Sequence, residues 1–448
     1  MKKDSTKLIF EPSLIRAEQY QDMIGRLYKL LYIKNEDKLA KTITFQVTDD
    51  CQLRCKYCYQ QNKGKNRMSF ETGKKLIDLL FDSQSLNTEY INSDKNPGIV
   101  LEFIGGEPLL EIELIDNLVE YFKFKAISLK HIWAKTYMIS LISNGVNYFQ
   151  PKVQEFIKKN LNKLSFSLSI DGNKQLHDSC RVFPNGEGSY EIVIKAFQHF
   201  KENYGNIGTK MTLSPENVQH TFDAVINLIN IGYKDIFSNC VFEKGWNVQH
   251  SKIFYNELKK ISDYIIENEL YSKIYLSLFE TNISMPMSNE DNENWCGGTG
   301  NMLACSPNGN LYPCLRYMES SLGTGVPPIV IGDVDNGIAY NETQKCKICE
   351  LKCITRKSQS TVECFNCPIA KGCAWCSAYN YQIFGTVSKR ATFICIMHKA
   401  RTLANIYHWN RLFRKHNIDN RFEMHIPKEW ALEIISNEEY EMLKELAQ

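Results

Sequence analysis

The sequence predicts an α/β fold: a parallel sheet with helical crossovers, opened into a partial barrel, followed by a cysteine-rich domain of a different kind. Three observations predict it. Apolar residues switch six times in succession from a period of two to a period of 3.6 between residues 41 and 269. That alternation stops near residue 281, in a stretch rich in Asn, Ser, Met and Gly. Beyond it, eleven of the sixteen cysteines crowd between Cys296 and Cys395.

Residues 1–40 read as an N-terminal extension, a short strand and a helix from roughly Leu14 to Leu31. Thr42–Thr48 alternates as a strand does, and after the cysteine loop Ser69 caps a helix carrying Leu76, Ile77, Leu79 and Leu80. Strand Ile99–Ile104 leads to helix Leu114–Phe124, and strand Tyr137–Ile142 to helix Val153–Leu161. Strand Leu164–Ile170 is followed by helix Tyr190–Asn203, and strand Thr209–Leu213 by helix Val218–Ile231. Strand Ile236–Phe242 and a long helix within Ser251–Glu269 complete the set. Six such units demand parallel strands. They fall short of a closed eight-unit barrel, so an open barrel over residues 41–285 is expected, with chemistry on the loops where strands end. Residues 281–300 read as a linker. Residues 286–400 form the cysteine domain, whose short apolar runs bury little area, so metal ligation is expected to supply folding energy. Residues 401–448 complete the chain, with helices at 396–415 and 428–446.

The net charge of +2 and a charged fraction of 23% exclude a global field suited to nucleic acid or a membrane surface. No apolar run reaches the ~18 residues of a membrane span, and no signal peptide is seen, so a cytoplasmic protein is expected. Sixteen cysteines in a reducing compartment argue for metal, with zinc or iron–sulfur open on thiolate ligation alone. Cys180 and Cys240 stand apart and read as buried core thiols.

Cys51-Gln-Leu-Arg-Cys55-Lys-Tyr-Cys58 directly follows the first strand. Three thiolates on one short loop can hold three irons of a cubane and leave the fourth open to an external ligand. The spacing, with an aromatic before the last cysteine, resembles the signature of the radical S-adenosylmethionine (SAM) superfamily. Gly105-Gly106-Glu107-Pro108, Ser143-Asn144-Gly145 and Ser167-Leu-Ser169-Ile-Asp171-Gly172 end successive strands and match that superfamily in order. By this resemblance Cys51, Cys55 and Cys58 hold a [4Fe–4S] cluster. Tyr57, Gly105, Gly106, Glu107, Ser143, Ser169 and Arg181 contact the cofactor: Tyr57 near the adenine, Ser169 and Arg181 at its ribose and carboxylate.

Cys296, Cys305-Ser-Pro-Asn-Gly309-Asn-Leu-Tyr-Pro-Cys314, Cys364-Phe-Asn-Cys367, Cys373-Ala-Trp-Cys376 and Cys395 resemble the SPASM domain, which carries two auxiliary [4Fe–4S] clusters. The resemblance assigns Cys296, Cys314 and Cys376 to an inner cluster and Cys364, Cys367, Cys373 and Cys395 to an outer one. Cys305 is the first choice for the inner cluster's fourth ligand. The alternatives are a cysteine of the extra run Cys346-Lys-Ile-Cys349-Glu-Leu-Lys-Cys353, read as a lysine-flanked loop, or an open iron for a substrate thiolate. Two residues separate Cys373 from Cys376 where the family has three.

The stretch from Cys364 to Tyr381 and Cys395-Ile-Met-His-Lys399 resembles maturases of ribosomally made peptides with repeated cysteine motifs. The implied function is 5′-deoxyadenosyl-radical hydrogen abstraction on a cysteine-rich precursor peptide. Thioether crosslinks are the expected product, with three [4Fe–4S] clusters, SAM, and a flavodoxin or ferredoxin as electron donor. Carbon–carbon crosslinking or epimerisation would use the same parts. An anaerobic sulfatase maturase is the rival, but that group carries an aspartate after Tyr-Pro-Cys where this chain has Leu315. A non-catalytic iron–sulfur carrier would leave the cofactor segments without purpose.

Overall fold

The computed structural model describes residues 40–82, 91–205, 207–294, 296–300 and 302–448. The expected N-terminal strand and helix lie outside them. Six parallel strands run in chain order: β1 (Ala40–Thr48), β2 (Gly98–Gly105), β3 (Tyr137–Ser143), β4 (Leu164–Ser169), β5 (Gly208–Leu213) and β6 (Asp235–Cys240). The crossovers contain α1 (Phe70–Leu80), α2 (Ile112–Ser128), α3 (Pro151–Asn160), α4 (Tyr190–Tyr204) and α5 (Thr221–Ile231), and α6 (Val248–Glu267) follows β6. Ser69 caps α1 as expected, accepting from the Thr72 amide. The helix expected from Val218 opens as a 3-10 turn, Val218–His220, before α5.

The sheet continues past the six strands on both edges. Beside β6 lies the two-residue β7 (Tyr275–Leu276). On the other edge β8 (Met302–Cys305) pairs parallel to β1, with Thr42 opposite Met302 and Phe45 opposite Cys305. The strands β9 (Asn310–Tyr312), β10 (Gly332–Asp333) and β11 (Gly337–Ile338) follow as an antiparallel meander. The cysteine-rich region is therefore an extension of the barrel sheet.

Period-two alternation sorts the side chains. Ile43, Phe45 and Val47 of β1, with Leu101 and Phe103 of β2 and Leu168 of β4, are buried in the apolar core. Glu102, Ile104, Ser169, Lys210 and Thr212, on the alternate positions, line a cavity inside the open barrel. A half-polar interior is what a barrel built to hold ligands needs, rather than one filled by apolar layers.

The expected linker at 281–300 is fastened down. The buried Arg356 guanidinium donates to the carbonyls of Ser288 (2.7 Å), Asp291 (2.8 Å) and Phe365 (2.6 Å), none of which periodicity could reveal. The extra cysteine run, expected as a loop, forms helix α7 (Glu342–Lys352), capped by Asn341 and buried along Gln344, Ile348 and Leu351. Its narrow buried stripe explains why polar Lys and Cys masked it. Helix α8 (Ser377–Phe384) follows Cys376, and α9 (Cys395–Lys415) runs unbroken across residue 400. The expected helix at 428–446 is two, α10 (Lys428–Leu432) and α11 (Asn437–Leu446), because Ser436 takes an extended backbone and caps the second.

Helix α9 lies along α6. Ser262 Oγ meets His408 Nδ1 at 3.0 Å, and the Tyr407 hydroxyl donates to Asp263 at 2.7 Å. Asn405, fully buried on α9, accepts from the Glu280 amide (2.9 Å) and donates to the Leu278 carbonyl (3.0 Å). Asn405→Ala would strand the Glu280 amide and leave the Leu278 carbonyl with Arg401 Nε (3.1 Å) alone, and is expected to cost about 1–3 kcal/mol in equilibrium denaturation. The exposed pair Lys428–Glu441 is the control, and Lys428→Ala should cost no more than about 1 kcal/mol.

Candidate active site

The loop from Asp49 to Arg67 leaves β1 and returns beside it. The Asp49 amide donates to the Asn66 carbonyl (2.9 Å) and the Met68 amide to the Val47 carbonyl (2.9 Å). Its far edge is tied to the segment before α4, by Arg54 N to Val182 O (2.7 Å) and Lys56 N to Cys180 O (3.1 Å). Within it, burial pushes the Cys55 thiol up to about 11; Arg181 pulls it down while Cys58 and Cys51 push it further up. The three sulfurs thus lie within electrostatic reach of one another. The Leu53 amide and Asn144 Nδ2 approach Cys51 Sγ at 3.4 and 3.7 Å.

Gly105 and Gly106 let this loop settle onto the end of β2. The Gly106 amide donates to the Thr48 carbonyl (2.9 Å) and the Glu107 amide to the Asp50 carbonyl (2.8 Å). A β-carbon on Gly106 would sit 2.2 Å from Asp50 O and 2.8 Å from Cys51 Cβ, which no side chain tolerates. Glu107 faces inward. Its carboxylate accepts from Ser143 Oγ (2.7 Å), the Asn144 amide (2.8 Å) and the Leu109 amide (3.1 Å). Burial pushes it up to about 7 against those three donors. Ser143 is spent on Glu107 and the Gly145 amide (2.9 Å), and is not on the cavity wall; its neighbour Asn144 is.

Arg181, Tyr57 and Ser169 all line the cavity. Arg181 already has a carboxylate partner: Asp171, fully buried, accepts from its Nε (2.8 Å) and a terminal nitrogen (3.3 Å). Asp171 also accepts from the Tyr57 hydroxyl and the Thr212 amide (3.1 Å), and Arg181 stands 5.3 Å over the Tyr57 ring. Asp171, quoted in the sequence only as part of a strand-end motif, is the hub joining the cysteine loop to β4 and β5. Its place before Gly172, where a left-handed turn (φ +107°) ends the strand, is the signal that marks it.

The cysteine domain assembles two further groups. Cys314 is pushed up by burial and by the thiolates of Cys296 and Cys376. A β-carbon on Gly298 would lie 3.2 Å from Cys314 Sγ and 3.6 Å from Cys296 Sγ, so this glycine leaves room beside both sulfurs. Ser377 Oγ stands 3.0 Å from Cys296 Sγ. Cys373, raised to about 12 by burial, also feels Cys395, Cys364 and Cys367. These four line one pocket of about 250 Å³ with His398, Lys399 and Trp430.

Cys305 is not drawn into either group. It ends β8, fully buried, its Sγ against the Ser306 carbonyl (3.4 Å), and burial alone pushes its thiol up. Cys346 and Cys349 on α7 and Cys353 at its C-cap are exposed, on one helical face by their spacing. Among the described residues no three His, Cys, Asp or Glu are arranged around a single-ion position. Each group is a gathering of thiols within electrostatic reach, not a single-ion cage. The donor sets fit iron–sulfur ligation: all-thiol, grouped as three, three and four, with glycines where bulk would intrude.

The cavity, about 470 Å³, is walled by Cys51, Cys55 and Cys58 on one side and by Cys376, Leu315 and Arg316 on the other. Sequence reasoning missed its central residues. Tyr59 is influenced by both Cys58 and Cys314, and so stands between the first and the inner group. Arg316 lies 5.2 Å over the Tyr59 ring and donates to Glu243 Oε1 at 2.8 Å. Gln60, also on the wall, has a buried side-chain nitrogen with no partner, a donor available to a ligand.

A family model described as a 4Fe-4S single cluster domain matches residues 42–182, the span from β1 to the Arg181 turn. The radical SAM cyclopropyl synthase TigE of Paramaledivibacter caminithermalis is 24% identical over 287 residues, 61% of this chain and 57% of that protein. The antilisterial bacteriocin subtilosin biosynthesis protein AlbA of Bacillus subtilis is 22% identical over 298 residues, 64% of this chain and 58% of that one. The chain therefore spans less than two thirds of the length of these curated relatives. The solved structure of native anSMEcpe with bound AdoMet and Kp18Cys peptide superimposes with a TM-score of 0.59 at 17% identity, covering 84% of this chain and 99% of that one. The chain is thus similar in its barrel and three-cysteine loop to radical SAM maturases, and shares with anSMEcpe a fold in which the barrel is followed by a cysteine-rich region.

Proposed function

We propose that the chain is a peptide maturase that joins a cysteine sulfur to a carbon of a cysteine-rich precursor peptide. The observation that carries this reading is the shared cavity, walled by the first cysteine group and by Cys376 of the inner one. Cys51, Cys55 and Cys58 would hold the first [4Fe–4S] cluster, and SAM would lie against Gly105, Gly106, Tyr57, Ser169 and Asn144. With both bound, the chemistry supplied is one-electron cleavage of the sulfonium and hydrogen-atom abstraction from the peptide. The chain's own part is placement. Asp171 fixes Arg181 and Tyr57 at one wall, and Glu107 locks the glycine turn to β3. Cys296, Cys314 and Cys376 leave the inner group one ligand short, which suits a substrate thiolate. The outer four would complete their own cluster near the surface.

Peptides support this reading indirectly: the superimposable anSMEcpe structure holds one, and AlbA serves the biosynthesis of a bacteriocin. The likeness to anSMEcpe also favours a second reading, oxidation of a peptide cysteine to formylglycine. Leu315, apolar beside Cys314, supplies no carboxylate there. Mass spectrometry separates the two on a synthetic peptide of repeated Cys-Xaa-Xaa-Xaa units, co-expressed with the chain. Each thioether removes two hydrogen atoms and keeps sulfur, whereas formylglycine loses two hydrogen atoms and also exchanges sulfur for oxygen. Peptide mass unchanged, with 5′-deoxyadenosine still formed, would count against both.

Replacing Cys51, Cys55 and Cys58 by alanine should abolish 5′-deoxyadenosine formation. Replacing Cys296, Cys314 and Cys376 should spare measurable cleavage and stop the crosslink. Gly106→Ala should displace the Asp50–Cys51 backbone. Its expected result is loss of the first cluster's share of iron by metal analysis, with the outer group's share retained.

A further inference from the structure

We propose that Glu243 is the proton acceptor for the substrate thiol, a catalytic assignment that rests on the thioether reading above. Joining R–SH to R′–H removes two hydrogens. One leaves carbon as an atom, to the 5′-deoxyadenosyl carbon. The other leaves sulfur as a proton: the S–H bond breaks, its electron pair stays on sulfur, and one electron passes to an iron–sulfur cluster as the S–C bond forms. That proton needs a base inside the cavity.

Three carboxylates line the cavity, Glu102, Glu107 and Glu243. Glu107 is buried with three donors on its oxygens, two of them backbone amides at the cofactor end. Glu102 accepts from Thr44 Oγ1 at 2.6 Å and has the cation of Lys210 near it. Glu243 is different. Among the described residues its carboxylate takes one hydrogen bond, from Arg316 to Oε1, and its side chain is 40% exposed. Its second oxygen can take a proton.

Its position is held from both domains. Glu243 follows β6 at the strand-end side of the barrel, and the next amide, Lys244 N, donates to the Tyr379 hydroxyl of α8 (2.8 Å). Tyr379 lies three residues after Cys376, whose thiol Arg316 influences directly. Arg316 thus joins Glu243 to the inner group, so a thiol brought beside Cys376 meets a carboxylate with a vacant lone pair. General bases so placed contribute about 10²–10⁴-fold in rate.

The test uses the iron-loaded chain and the Cys-Xaa-Xaa-Xaa-repeat peptide. Glu243→Gln should lower the crosslinking rate about 10²-fold or more and raise the ratio of 5′-deoxyadenosine to crosslink, while Glu243→Asp, which keeps a carboxylate, should regain about tenfold over the amide. Iron content, the cluster electron-paramagnetic-resonance signals and peptide affinity by fluorescence anisotropy should match wild type in both. Crosslinking by Glu243→Gln within about threefold of wild type would overturn the assignment and leave the thioether reading standing. So would loss of peptide affinity or of iron equal to the loss of rate, because Glu243 would then be a binding or structural residue. No crosslink from wild type would overturn the thioether reading itself, and this assignment with it.

Discussion

The structure depends on the parallel pairing of β1 with β8. β1 is the barrel strand that carries the cysteine-rich region, pairing with β2 on one edge and β8 on the other. Its register carries the loop of Cys51, Cys55 and Cys58 off one end. β9 runs back antiparallel to β8, and the turn after it brings Leu315 and Arg316 to the cavity that the cysteine loop lines, where Tyr59, next to Cys58, feels Cys314. A one-residue slip in this pairing would turn every side chain of the strand to the opposite face. The buried set Ile43, Phe45 and Val47 makes that slip expensive, since each is fully excluded from water. The placement of the first cysteine group relative to the cysteine-rich region is thereby set by a strand that contributes no thiol.

Buried charge does the local fixing. Asp171 and Arg181 would each be intolerable alone in the core, and breaking such a pair costs several kcal/mol because one charge is left unpaired. Together with Tyr57 and the Thr212 amide they tie the cysteine loop to β4 and β5. Glu107 does the same for the glycine turn, β3 and the Asn144 amide. A cavity that must admit ligands cannot be held open by apolar packing, which would fill it. Directional bonds between charged groups can hold walls apart, because their geometry is satisfied only at one separation.

The barrel was legible because its signal is periodic and local: period two for β1 to β6, period 3.6 for the helices, and a serine cap at Ser69. The thiol groups were legible because cysteines separated by two or three residues bring their sulfurs together whatever surrounds them. What escaped depends on contacts distant in sequence. The joining of β8 to β1 leaves no trace in either strand's pattern. Arg356 binds carbonyls 65 and 68 residues away, so the expected linker is pinned. Cys305 matched a spacing but sits on a strand whose pleat buries it opposite Phe45. Glu243 and Arg316 are single charges in unpatterned stretches, and become a pair only where the end of β6 meets the turn after β9.

The grouped thiols show what metal ligation would change in the cysteine-rich region. Burial and mutual repulsion both push Cys314 and Cys376 upward, so without a cation the thiolate form is disfavoured where it is wanted. A bound cation inverts that balance, converting repulsive neighbours into shared ligands. The fold supplies the remaining restraint: Gly298 beside two sulfurs and Ser377 against Cys296. Arg316, two residues after Cys314, holds the proposed base from the same turn that carries the inner group's sulfur, so the carboxylate is positioned beside that group without being one of its restraints.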